Sequence, residues 1–158
     1  MIDEIDTRIL TIVQQNARIS NADIARQVEM APSAVLERIR KLELSGMIQG
    51  YEARLNPVDL GLGLLAFIFV KTDERPGSHE TAQQIADIPA VQEVHHVAGE
   101  DCFLVKVRVA NTEALSALLR EDFGRIERVR STRTTIVLST VKETAQLPIP
   151  DLEMDYVS

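Results

Sequence analysis

The hydrophobic periodicity of this chain changes at one place, just after Asn56-Pro57, and that change governs what it can fold into. Before it, apolar residues recur at three- and four-residue intervals: Ile2, Ile5, Ile9, Ile12 and Val13; then Ala22, Ile24, Ala25 and Val28; then Val35, Leu36, Ile39 and Leu42. That spacing puts each set on one face of a helix. After it, Leu64 to Val70 is continuously apolar, and Phe103, Val105, Val107 and Val109 alternate with Leu104, Lys106 and Arg108. A period of two belongs to a strand with one buried face. The chain therefore reads as a helical unit over residues 1–50, a linker strand and hinge over 51–61, a mixed unit over 62–142 and an acidic tail over 143–158.

Punctuation within the first unit predicts three helices. Asp3, Glu4 and Asp6 suit the positive end of a first helix over about Asp3 to Asn16. Ser20 and Asn21 are capping residues for a short second helix ending at Val28. Pro32 fits the first turn of a third helix, and Gly46 its stop. Two short helices joined by Glu29-Met30-Ala31, with small Ala25 where they cross, form a helix-turn-helix pattern. The outer side of the third helix then carries Ser33, Ala34, Glu37, Arg38 and Lys41, with Arg40 at its edge.

Tyr51 to Leu55 reads as a short linker strand. The second unit then runs strand 64–72, helix 80–88, strand 91–98, strand 103–109, helix 113–123 and strand 130–141. The order β-α-β-β-α-β predicts a ferredoxin-like α+β sheet with both helices on one face. Leu64 to Val70 and Ile136-Val137-Leu138 are apolar on both faces, whereas one helix layer covers only one. A second copy of the chain is the simplest cover, which predicts a homodimer; the linker or the tail is the alternative cover.

Charge and cysteine content narrow the function classes. The net charge of −7 argues against a general polyanion binder, so DNA binding needs a local basic face. Nearly half of that excess lies in residues 142–158, where four acids face one base. The single cysteine, Cys102, allows no intrachain disulfide, no apolar run reaches membrane-spanning length, and Met1 to Asp6 lacks the features of a secretory signal. A cytoplasmic protein without a membrane partner is the expectation.

Enzyme signatures fail on geometry. Gly61-Leu62-Gly63-Leu64-Leu65-Ala66 has dinucleotide-motif spacing but precedes a strand instead of following one. No nucleophile elbow or phosphate loop occurs. His95 and His96 are adjacent on a strand and point to opposite faces, which disfavours a shared metal with Cys102. Acidic neighbours Glu100 and Asp101 disfavour a reactive Cys102 thiolate. No catalytic, metal or cofactor role is expected.

Several segments together carry a family resemblance. Ile5-Asp6-Thr7-Arg8-Ile9-Leu10, Asn16-Ala17-Arg18-Ile19-Ser20, Ala31-Pro32-Ser33, Leu36 through Leu42, and Gly46-Met47-Ile48-Gln49-Gly50-Tyr51 stand in the order of the Lrp/AsnC regulators. Val97-Ala98-Gly99-Glu100 with Phe103 to Val107, and Ser131-Thr132-Arg133-Thr134 with Ile136 to Leu138, resemble that family's glycine turn and last strand. The resemblance spans about residues 2–148. It implies a winged-helix-like DNA-binding domain, an α+β effector domain, dimers that often assemble into octamers, and an amino acid or related metabolite as effector where dimers meet.

Three departures from the family pattern stand out. Glu29 occupies a usual glycine position expected to need a positive φ; Ala31 replaces the usual serine cap; and Cys102 stands where an aspartate is usual, with Asp101 one residue earlier.

The expected DNA contacts are Ser33, Ala34, Glu37, Arg38, Arg40 and Lys41, the arginines able to grip phosphate or guanine and Glu37 able to pair with Lys41. The expected effector residues are Gly99, Glu100, Asp101, Arg130, Ser131, Thr132 and Thr134. A turn glycine exposes backbone N–H groups to a carboxylate, an acid holds an ammonium, and an arginine holds a carboxylate. Two other readings fit parts of the chain: a metabolite-binding or catalytic ferredoxin-like module without specific DNA binding, and a partner protein recruited through Asp151 to Ser158.

Overall fold

In a computed structural model, which describes residues 2–75 and 78–150, the chain divides into two units. One comprises the residues up to Arg54 together with the segment from Glu143 onward; the other runs from Leu55 to Lys142.

The first unit holds helices α1 (Glu4–Gln15), α2 (Asn21–Val28) and α3 (Pro32–Leu44). Their inward stripes make one core of Ile9, Ile24, Ala25, Val28, Val35, Ile39 and Leu42. Local chemistry sets the boundaries. Asp3 caps α1 by accepting from the Asp6 amide, and the Asp6 side chain accepts from the Asp3 amide in return, a reciprocal capping box. Ser20 caps α2 by accepting from the Asp23 amide at 3.1 Å. Glu29 ends α2 in the left-handed conformation expected of it, at φ 56°. Ala31 begins α3 without a side-chain cap, and Pro32 occupies its first turn.

The expected linker strand over Tyr51 to Leu55 is not formed. Those residues pair with no strand among the described residues, and a strand needs a ladder partner to satisfy its backbone groups. The described part of the tail, Glu143 to Pro150, groups with the first unit. The Gln14 side chain accepts from the Leu147 amide at 2.7 Å and donates to the Leu147 carbonyl at 2.8 Å, and Arg54 donates to the Glu143 carbonyl at 2.9 Å. The acidic stretch Asp151 to Ser158, considered above as a docking element, lies outside the described residues.

The second unit contains β1 (Leu64–Thr72), α4 (Glu80–Ala86), β2 (Val91–His96), β3 (Phe103–Val109), α5 (Thr112–Ala117) and β4 (Val129–Ile136). The strands form one antiparallel sheet in the order β2-β3-β1-β4, as the β-α-β-β-α-β reading requires. Ala66, Ile68, Val70, Phe103, Val105, Val107 and Val109 pack beneath Ile85, Leu115, Leu118 and Phe123.

Two elements differ from expectation. The helix predicted to end at Phe123 changes at Leu118 into a π-helical turn, Leu118–Phe123, closed by a bond from the Gly124 amide to the Leu119 carbonyl. The last strand stops at Ile136 instead of Val141. Val137 makes one more bond, to the Leu65 carbonyl, and Leu138 is 97% exposed; β1 begins at Leu64, so that strand offers nothing to pair with the residues beyond Leu138.

Candidate nucleic-acid interface and effector site

In the first unit, α3 is the second helix of the helix-turn-helix, the one that such motifs present to the major groove. Its buried side, Val35, Ile39 and Leu42, fixes which residues face outward. Ser33, Glu37 and Lys41 are exposed and Ala34 is half-buried. They form one stripe at intervals of three and four. Lys41 Nζ lies 3.0 Å from Glu37 Oε1, the pairing expected from the sequence, and it holds the Glu37 carboxyl below its ordinary range.

Arg40 is exposed on a neighbouring side. It borders a groove of about 260 Å³ lined also by Val13, Ile24, Leu36, Glu43 and Tyr51. Arg38 does not join the outer stripe. Its Nη1 donates to Asp3 Oδ2 and to Asp6 Oδ1, each at 2.8 Å.

In the second unit, the turn after β2 is built around Gly99, whose φ of 120° only glycine adopts readily. Val97 donates to the Cys102 carbonyl and Cys102 donates to the Val70 carbonyl, so the turn sits over the end of β1. Asp101 and Cys102 diverge as strand alternation demands. The Cys102 sulfur accepts from the Thr72 amide at 3.5 Å, whereas Asp101 Oδ2 accepts from Arg133 Nη2 at 3.0 Å. The Arg133 guanidinium also lies 4.3 Å above the centre of the Phe69 ring, its cross-strand neighbour, within cation–π range.

The structure thus brings Gly99, Glu100 and Asp101 together with Arg133, which sequence reading did not select. It separates the other candidates. Thr132 and Thr134 are opposite Val70 and Ile68 on the helix-covered face, whereas Ser131, opposite Lys71, shares the open face with Arg133. Arg130 falls at the irregularity in the β1–β4 ladder and pairs with Asp73, as Arg128 does at 3.8 Å. The Arg130 hydrogen bond holds the Asp73 carboxyl below the ordinary carboxylate range. The period-two rule applied within β4 would have found Arg133, since it shares a face with Ser131 and not with the two threonines. His95 turns to Glu93, and His96 packs against Phe103.

A helix-turn-helix joined in one chain to an α+β unit with a charged glycine turn defines a DNA-binding regulator with a ligand-binding domain. Comparison with known proteins agrees. Residues 2–43 match the AsnC-type helix-turn-helix domain, and residues 65–147 match the Lrp/AsnC ligand binding domain. The leucine-responsive regulatory proteins of Escherichia coli K12 and Salmonella typhimurium LT2 are each 37% identical to it over 152 residues, covering 94% of this chain and 92% of theirs. Among solved structures, a Neisseria meningitidis transcriptional regulator in complex with L-methionine superposes with a TM-score of 0.87 at 28% identity, covering 94% of this chain and 97% of that one. The feast or famine regulatory protein of Mycobacterium tuberculosis complexed with L-methionine gives 0.87 at 33%, covering 95% and 100%. The chain belongs to the Lrp/AsnC family of transcription regulators. Among the described residues no helix is long and apolar enough to cross a membrane.

Proposed function

We propose that this regulator reads duplex DNA through the α3 stripe of Ser33, Ala34, Glu37 and Lys41, with Arg40 beside it, as a homodimer or higher oligomer whose operator affinity responds to an amino acid. The uncapped start of α3 and exposed Ser33 suit a backbone phosphate, because the first N–H groups of a helix point outward at its positive end. Lys41 supplies charge once a phosphate displaces Glu37.

The observation that carries the effector reading is the Asp101–Arg133 pair beside the Gly99 turn. Together they offer an anion for an α-ammonium, a cation for an α-carboxylate and a glycine backbone that a ligand can approach closely. Two relatives of the same fold were solved with L-methionine. A family member that departs at Cys102 retains a carboxylate at this turn through Asp101. Ligand binding shifts DNA affinity only if it favours one of two states, and breaking or bridging the Asp101–Arg133 pair supplies such a difference.

The test is binding of the purified protein to duplex DNA from its own upstream region against scrambled duplex, at two salt concentrations, with a panel of amino acids. The expected result is a preference for the native duplex that one amino acid shifts. Asp101→Asn should then abolish the shift and leave operator binding intact. A response that survives Asp101→Asn would move the effector away from this turn. Equal affinity for both duplexes would overturn the DNA-binding assignment of α3.

A further inference from the structure

We infer that Arg38 is a positioning residue, not a DNA contact: with Asp3 and Asp6 it clamps the recognition helix to α1 and so sets the face that α3 presents. This rests on α3 being the DNA-reading helix.

The network is closed. Asp3 accepts from the Asp6 amide through Oδ1 at 2.8 Å and from Arg38 through Oδ2 at 2.8 Å. Asp6 accepts from the Asp3 amide through Oδ2 at 3.2 Å and from Arg38 through Oδ1 at 2.8 Å. Each carboxylate therefore divides its two oxygens between the capping box and the guanidinium. Without Arg38, the capping box sets two carboxylates side by side with no cation between them. A phosphate that recruited Arg38 would have to leave that repulsion behind.

Burial agrees with this assignment. The Arg38 side chain retains 28% of its exposure and Asp6 only 15%, against 73% for Lys41 on the outer stripe. Both acids favour the charged arginine, which is held more firmly protonated than usual, first by the Asp3 hydrogen bond and then by that of Asp6. The same helix also ties down α2. Arg8 Nη2 donates to the Gln27 carbonyl in its last turn. Asp3, the cap of α1, with Asp6 and Arg8 within it, thus holds both arms of the helix-turn-helix.

The experiment compares wild type, Arg38→Gln, Asp6→Asn and the double variant. The duplex is one that the wild-type protein enriches from a random pool, and every variant is assayed at a temperature where its circular dichroism shows it folded. The clamp predicts that both single variants lose operator affinity, by about five- to thirtyfold. The double variant should be no worse than either single variant, and the dependence of log K on log salt should keep its wild-type slope. If Arg38 instead touches phosphate, its loss lowers that slope by about one, and Asp6→Asn strengthens binding by freeing the arginine. Either result overturns the proposal. So does unchanged affinity in all variants, which would leave the network a role in stability alone.

Hydrogen exchange of the free protein gives a readout without DNA. Amides in the first turns of α1 and α3 should exchange faster in Arg38→Gln and Asp6→Asn alike, and unchanged exchange would refute the clamp. If the pool yields no enriched duplex, the DNA-reading assignment fails by itself, and hydrogen exchange still decides whether the clamp exists.

Discussion

At the scale of single residues, the two departures in the helix-turn-helix turn each cost stability that one substitution restores. Glu29 is held at φ 56° and ψ 45°, a region that costs an ordinary L residue about 1–2 kcal/mol. Glycine removes that cost but loses more backbone freedom on folding. Glu29→Gly is therefore expected to raise unfolding stability by about 0.5–1 kcal/mol, read from urea titration. Ala31→Ser restores a side-chain acceptor at the start of α3 and should add about 0.5–2 kcal/mol in the same measurement.

Asp3 makes a prediction in pH. Its carboxyl is lowered from 3.8, first by the Asp6 amide and then by Arg38. A folded-state pKa below the unfolded value contributes stability that is complete above the unfolded value and is lost as pH falls through the folded one. The melting temperatures of wild type and Arg38→Gln should therefore differ most near neutrality and converge below about pH 4. A difference that stays constant with pH would show that the acids are not the partners that matter.

At the scale of elements, regular repeats were legible and exceptions were not. The limits of α2 and β1 follow directly from Ser20, the apolar stripe and the run from Leu64, because burial and capping act on the same residues that write the pattern. The partner of Arg38 was not legible, since the 3.6-residue period says which side chains face outward but not which distant carboxylate draws one back. Nor was the failure of Tyr51 to Leu55 to pair, because a strand's fate depends on a second strand. The π-helical turn was hidden for a different reason. Leu115, Leu118 and Phe123 all read as one helical stripe, yet bringing Phe123 into the core, where it is 1% exposed, takes one extra residue per turn. Gly124 permits that turn to close. A Cβ there would stand 2.2 Å from the Arg120 carbonyl oxygen. Its φ is ordinary, so the constraint is steric. Gly124→Ala should destabilise by about 1–3 kcal/mol in thermal unfolding, whereas Gly63→Ala, with open space around the new methyl, should be nearly neutral.

At the scale of the whole molecule, the sheet has one face under helices and one without them. On the second, Phe67 lies between Lys106 and Thr135, and Phe69 lies between Leu104 and Arg133. The aromatic centre is flanked by charges already in pairs, Lys106 with Glu93 and Arg133 with Asp101. An apolar centre with a polar rim is the usual composition of a subunit interface. Leu55, Val58 and Leu60, in the same unit, are also 60% or more exposed. The dimer expected from the sequence would have Phe67 at the centre of this face. Phe67→Asp would place a carboxylate in that centre at little cost to a single chain, because the helix-covered core is on the other side. Sedimentation equilibrium should show the wild type as a dimer or larger and Phe67→Asp as a folded monomer. The monomer should also lose operator affinity, since each chain would then hold only one recognition helix against the duplex and the gain from a tethered second site would vanish. A Phe67→Asp protein that remains dimeric would instead assign assembly to the exposed leucines of the linker, and Leu55→Asp with Leu60→Asp would then dissociate it.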